Sequence, residues 1–275
     1  MEQVNLNFAQ TFQPERQHIS NLIISAENIK MMSPKEISII SDIPQGVSSG
    51  KVEPHIMYAH YMGLLDYTKN KGKYSTKLTD IGLKIRNEDP GLMETITVQL
   101  CHCMILRDKE GAPIWSYLFN YVLPKYRGRV SLEMVMKEMV SHFGNKLTPK
   151  NFAPLCGSYE GFFNKLNLID IPNKNSEEFV IHQLSYNPEY IYLYCYVLYV
   201  YWADKYAGRE EITSEELDKL GFSYAFGWSK NTQYQVLEHL SDKGLIRLNR
   251  QISPFTVLRL SDMKNAIEKL YSELC

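Results

Sequence analysis

The sequence is poor in the features that would announce a chemistry at sight. Cysteine is sparse. Cys101, Cys103, Cys156, Cys195 and Cys275 are odd in number and widely scattered, which argues against a disulfide framework and fits a reducing cytoplasm. No like charges run long enough for a disordered tail. The first residues lack a basic start followed by an apolar run, so no secretion signal is expected. The most apolar stretch, Tyr190 to Ala203, is shorter than the about 20 residues a membrane span needs. It closes on Asp204 and Lys205 and reads as buried helix, with no membrane partner expected. A basic surplus is also missing: 30 Lys and Arg stand against 31 Asp and Glu, a net charge of −1. Proteins held on DNA by phosphate contacts usually carry such a surplus, so any DNA face must come from placement. Neither Gly-x-Ser-x-Gly nor His-Glu-x-x-His occurs, so no catalytic residue and no cofactor is expected, and the chain reads as a binding protein rather than an enzyme.

What is present is 275 residues with 44% hydrophobic, enough for one large or two to three small domains. Residues 1–90 follow a definite order. Arg16 to Lys30 places Ile19, Leu22, Ile23 and Ala26 on one helical stripe. Ser33-Pro34-Lys35-Glu36 predicts a capped helix start, with Ile37 and Ile40 inward. A Gly/Ser turn, Gln45 to Gly50, leads to a third helix from Pro54 through Leu64 that buries Ile56, Ala59 and Met62. Two short strands then flank the tip Lys69-Asn70-Lys71-Gly72-Lys73, and Thr79 or Asp80 caps a further helix. Helix, helix, turn, helix, hairpin is the order of a winged helix-turn-helix.

Residues 186–275 repeat that order. Pro188 to Tyr206 is read as helix, although Tyr190 to Val197 alternates with period two and strand is a real alternative. Ser214 starts a short helix, Phe222 to Trp228 is an aromatic turn, and Ser229 caps a helix to Lys243 that Gly244 ends. Leu245 to Asn249 and Phe255 to Leu260 pair as a hairpin before a terminal helix from Met263. Residues 91–185 form a helical bridge, with a reduced helix-turn-helix between Thr148 and Asp170. The fold class expected is mainly α, with two winged helix-turn-helix units joined by a helical middle region.

In a helix-turn-helix the third helix presents its leading end to base edges. With Val236, Leu237 and Leu240 inward, Lys230, Asn231, Tyr234 and Gln235 fall on the outer side; Asn and Gln pair with adenine, and Lys reaches guanine or phosphate. Arg247 and Arg250 on the wing would grip phosphates. At the other end, Ser48, Ser49, Lys51 and His55 would offer backbone N–H groups and charge to a phosphate, assisted by Lys69, Lys71 and Lys73. A Walker loop is excluded there, because three residues rather than four precede Gly50-Lys51 and Val52 follows. Cys101-His102-Cys103 cannot converge on a metal from one helix, where neighbours point about 100° apart, so no metal site is expected. Double-stranded DNA is the partner these residues suggest. Protein partners are the alternative, suggested by neutral charge and by aromatics such as Tyr224, Phe226 and Trp228.

Several segments resemble a bacterial family, the domain of unknown function family 4007. They are Thr11-Phe12-Gln13-Pro14-Glu15-Arg16, Ile43-Pro44-Gln45-Gly46-Val47-Ser48-Ser49-Gly50-Lys51-Val52, Tyr61-Met62-Gly63-Leu64, Leu78-Thr79-Asp80-Ile81-Gly82, Glu88-Asp89-Pro90 and Ile114-Trp115. The chain departs from the family pattern at Ala9 and Gln10, where members carry a His before the Thr-Phe pair. The resemblance implies an accessory component encoded near DNA phosphorothioation and anti-phage systems, acting with protein subunits of a defence or modification complex, and it lends no catalytic residue.

Overall fold

The computed structural model describes residues 5–47, 50–144, 147–173, 176–251 and 253–274. The N-terminal unit begins with Arg16–Ser25 (α1), whose Ile19, Leu22 and Ile23 are buried as the stripe requires. Pro34–Ser41 (α2) carries the full capping box: Ser33 accepts from the Glu36 backbone, and Glu36 accepts from that of Ser33. Ile37 faces the core, but Ile40 does not; it is 42% exposed, and its neighbour Ile39 83%. Val52–Tyr61 (α3) precedes the antiparallel pair Leu65–Asn70 (β1) and Lys73–Leu78 (β2), and Thr79 caps Asp80–Glu88 (α4).

Thr95–Ile105 (α5) is buried along its length. Pro113–Tyr117 (α6) runs through a wide π turn at Leu118–Val122 into Leu123–Lys125 (α7). Beyond it lie Arg129–Ser131 (β3), Leu132–Phe143 (α8), Ala153–Glu160 (α9), Ile169–Asp170 (β4) and Glu178–Ile181 (β5). The C-terminal unit comprises Ile191–Lys205 (α10), Glu211–Thr213 (β6), Ser214–Asp218 (α11), Phe222–Ala225 (α12), Lys230–Asp242 (α13), Ile246–Asn249 (β7), Thr256–Arg259 (β8) and Met263–Glu268 (α14).

Three expectations need correction. Three small antiparallel sheets accompany the helices, so the architecture is mixed α/β rather than mainly α. The middle is not purely a helical bridge, because β3, β5 and β4 form a sheet there. Its order, β3-β5-β4, matches the order β6-β8-β7 of the C-terminal sheet. In each, a strand leads into helices, and the later hairpin places its second strand against that first strand. The ambiguous segment after Pro188 is helix. Residues 191–202 of α10 are all buried, and a helix apolar on every side belongs in a core. The aromatic turn is core as well: Phe226 and Trp228 stack with centroids 4.1 Å apart, and Trp228 Nε1 donates to the Leu184 carbonyl at 2.8 Å. Phe226 and Trp228 are therefore not surface aromatics; Tyr224 remains partly exposed.

Candidate nucleic-acid interface

Three helices occupy equivalent places, each the last before a hairpin: α3, α9 and α13. Their surroundings differ. The segment 6–16 lies across α3. Tyr58 donates its hydroxyl to the Phe12 carbonyl at 2.9 Å, and Phe8 packs edge-on against Tyr58, centroids 5.1 Å apart. The Glu15 backbone N–H donates to His55 Nε2 at 3.1 Å, and His55 Nδ1 donates to the Lys51 carbonyl at 2.7 Å. His55 is fully buried, which corrects its assignment as a DNA contact. Burial pushes the imidazole down to about 4, so it carries no positive charge at neutral pH.

Lys51 is only partly exposed, and its ammonium sits 2.6 Å from Glu15. Burial pushes the Glu15 carboxyl up, but the Lys51 hydrogen bond and the nearby His18 outweigh it and hold the group below its usual range. Among the described residues of α3, none is fully exposed. Ser48 and Ser49 lie outside the described residues. The same segment reaches α9: Gln13 packs where a Cβ on Gly157 would sit, and Asn151 Nδ2 donates to the Leu6 carbonyl at 3.5 Å.

α13 is covered less: Gln183 donates to the Thr232 hydroxyl and Tyr186 bonds His239, but the outer side of its leading end stays open. Ser229 caps it by accepting from the Thr232 backbone at 3.2 Å. Val236, Leu237 and Leu240 are buried, while Lys230, Asn231 and Gln235 are exposed at the leading end. Tyr234 is half-buried, edge-on to Phe255, with the Arg250 guanidinium 5.3 Å from its ring centroid. The charges beside it are largely matched. Lys230 pairs with Asp218 of α11, and Arg250 with Glu238 at 2.8 Å. Arg247 is exposed without an ion partner among the described residues and lines an open cleft of about 740 Å³ together with Glu211 and Asp242.

The remaining predicted cations are on the β1–β2 hairpin. Lys69 bonds Glu53 at 3.0 Å, whereas Lys71 and Lys73 are exposed with no ion partner among the described residues. The structure thus splits the predicted residues into a hairpin cluster, a covered α3 cluster and an exposed α13 cluster.

Cys101, His102 and Cys103 are buried; His102 Nε2 donates to the Ala225 carbonyl at 2.9 Å and Nδ1 faces the Tyr159 hydroxyl at 3.1 Å. No group of three His, Cys, Asp or Glu among the described residues is arranged to hold a metal ion. Nor, among them, is any helix long and apolar enough to cross a membrane. Sequence reasoning missed the cover over α3, which depends on contacts across some 40 residues and leaves no local signal.

No protein-family model and no curated protein matches the chain. Two solved structures do. The chain is similar to SspB in a magnesium ion-bound crystal structure, with TM-score 0.74, 16% identity, and coverage of 97% of this chain and 86% of that one. A second SspB crystal structure superposes with TM-score 0.73 at the same identity and coverage. At that identity the likeness is one of fold.

Proposed function

We propose that this chain is a DNA-binding accessory subunit of a bacterial DNA-modification or phage-defence system, acting in the cytoplasm without catalysing a step itself. We read the N- and C-terminal units as winged helix-turn-helix modules, and the middle sheet unit as a third of related build. The observation that carries the reading is the leading end of α13, with Lys230, Asn231 and Gln235 exposed and its opposite face in the core. Such an end fits the major groove, where Asn and Gln read adenine. The setting follows from the family resemblance, and the likeness in fold to SspB agrees with one shared architecture over nearly the whole chain. Anisotropy titration of duplex DNA at low salt tests it: binding is expected, and none at micromolar protein would overturn it.

A second reading has its own support. The pairing of Lys230 with Asp218 and of Arg250 with Glu238 lowers the attraction for phosphate, while Ile39 and Val47 stand exposed beside α3. Both features suit a protein-interaction subunit. Pull-down with the products of neighbouring genes tests it, and a chain that captures none of them counts against it.

A further inference from the structure

We infer that the N-terminal unit grips the sugar-phosphate backbone of duplex DNA with the tip and outer face of its β1–β2 hairpin, and not with helix α3. The inference rests on the DNA-binding reading above and divides the work within it. α3 cannot enter a groove: residues 6–16 roof one side, and Glu53, on another, is engaged by Lys69 and by the Tyr74 hydroxyl.

The hairpin presents the opposite picture. Its strands pair in perfect register from Leu65↔Leu78 to Asn70↔Lys73 around a two-residue turn, Lys71-Gly72. Both turn residues have positive φ, +47° and +77°, the geometry that keeps two strands tightly twisted together. Side chains alternate along a strand, so Lys73, Ser75 and Lys77 share one face with Thr68 and Asn70, and Lys71 extends the row at the turn. Lys71, Lys73 and Lys77 are all exposed, and none has an ion partner among the described residues. Asp66, opposite Lys77, is the one carboxylate of the hairpin; Glu36 lies within electrostatic reach of Lys73. The result is a small net-positive ridge, edged with hydroxyl and amide donors, on a chain whose overall charge is −1.

Compact ammonium groups without aligned readers of base edges bind phosphate and carry no sequence information. The ridge therefore supplies affinity and salt dependence, and α13 supplies any preference for sequence.

The test compares wild type with Lys71→Asn/Lys73→Ser/Lys77→Ser and with Asn231→Ala/Gln235→Ala, by anisotropy on random-sequence and selected duplexes between 50 and 200 mM salt. Asn is chosen at 71 because it tolerates positive φ. The hairpin variant is expected to bind every duplex about tenfold more weakly, with the slope of log K against log salt reduced by about 2 to 3. An unchanged slope in that variant, alongside wild-type binding that the α13 variant weakens, overturns the inference and leaves the DNA reading intact. Absence of wild-type binding overturns the DNA reading itself. Unchanged circular dichroism and thermal unfolding confirm that the exposed substitutions leave the fold in place.

Discussion

Helices α3 and α13 hold the same place in two units of like order, each running from a capped or turn-led start into a hairpin through a glycine, and yet they meet the outside of the molecule in opposite ways. α3 is roofed by residues 6–16 and keeps no fully exposed side chain, whereas α13 has three polar residues in the open at its leading end. The difference lies outside the units themselves. An N-terminal segment long enough to reach across α3 and on to α9 uses Phe8, Phe12, Gln13 and Glu15 to close both, whereas the segment before the C-terminal unit touches α13 through Gln183 on Thr232 and Tyr186 on His239 and leaves Lys230, Asn231 and Gln235 open. A repeated architecture can thus leave the leading end of one helix open and close that of another by how far the preceding segment reaches.

The comparison can be broken most sharply at the approach to α13. Trp228 is 5% exposed, stacked on Phe226 and bonded to Leu184, so Trp228→Ala is expected to cost about 3 to 5 kcal/mol in denaturant unfolding. Stability within 1 kcal/mol of wild type, on the same scale, would mean that this segment is a contact surface after all.

On the α3 side the N-terminal segment makes stability depend on pH. Burial lowers the His55 pKa from 6.5 in the free side chain to about 4. Its contribution is therefore complete above about pH 6.5 and is lost as pH falls toward 4, because the unfolded chain takes up the proton first. The loss amounts to about 3 kcal/mol. His102, pushed to about 3 by burial, works in the same direction at the junction with α12. His55→Gln should flatten the upper part of this decline in thermal unfolding measured from pH 7 to 4; an identical slope would contradict the burial of His55.

The two glycines that end the helices give a matched pair. Gly63 and Gly244 have φ of +73° and +68°, a region that strains any residue with a Cβ. Space around Gly244 is open, but a Cβ on Gly63 would stand 3.1 Å from Met104 Cγ. Gly244→Ala is expected to cost about 1 kcal/mol, and Gly63→Ala more, since the crowding adds to the same strain. Equal losses would show that Met104 yields freely. The smallest effect is none: Glu53→Gln keeps an acceptor for Tyr74 and frees Lys69, which lies on the face opposite the ridge, so the salt slope of DNA binding should stay within about 0.5 of wild type. A rise of about one would add Lys69 to the hairpin contact.

Local signals were legible in the sequence. The caps at Ser33, Thr79 and Ser229 stand where their residue types placed them, because a cap is settled within three or four positions. The inward faces of α1 and α13 followed from spacing alone. The three-residue strands β3 and β6 were not legible, since so short a run shows no period and its pairing partner, β5 or β8, lies some 45 residues away. Of the candidate contacts, Lys230, Asn231, Gln235, Lys71 and Lys73 are exposed as placed. His55 and Lys51 were misjudged because the groups that cover and neutralise them, His18 and Glu15, come from another part of the chain.

The division between an open leading end on α13 and a covered α3 is tested most directly by amide hydrogen–deuterium exchange, with and without a saturating DNA duplex. Protection is predicted at residues 229–235 and at the hairpin 69–77, with 52–58 unchanged. Protection of 52–58 with none at 229–235 would contradict the account.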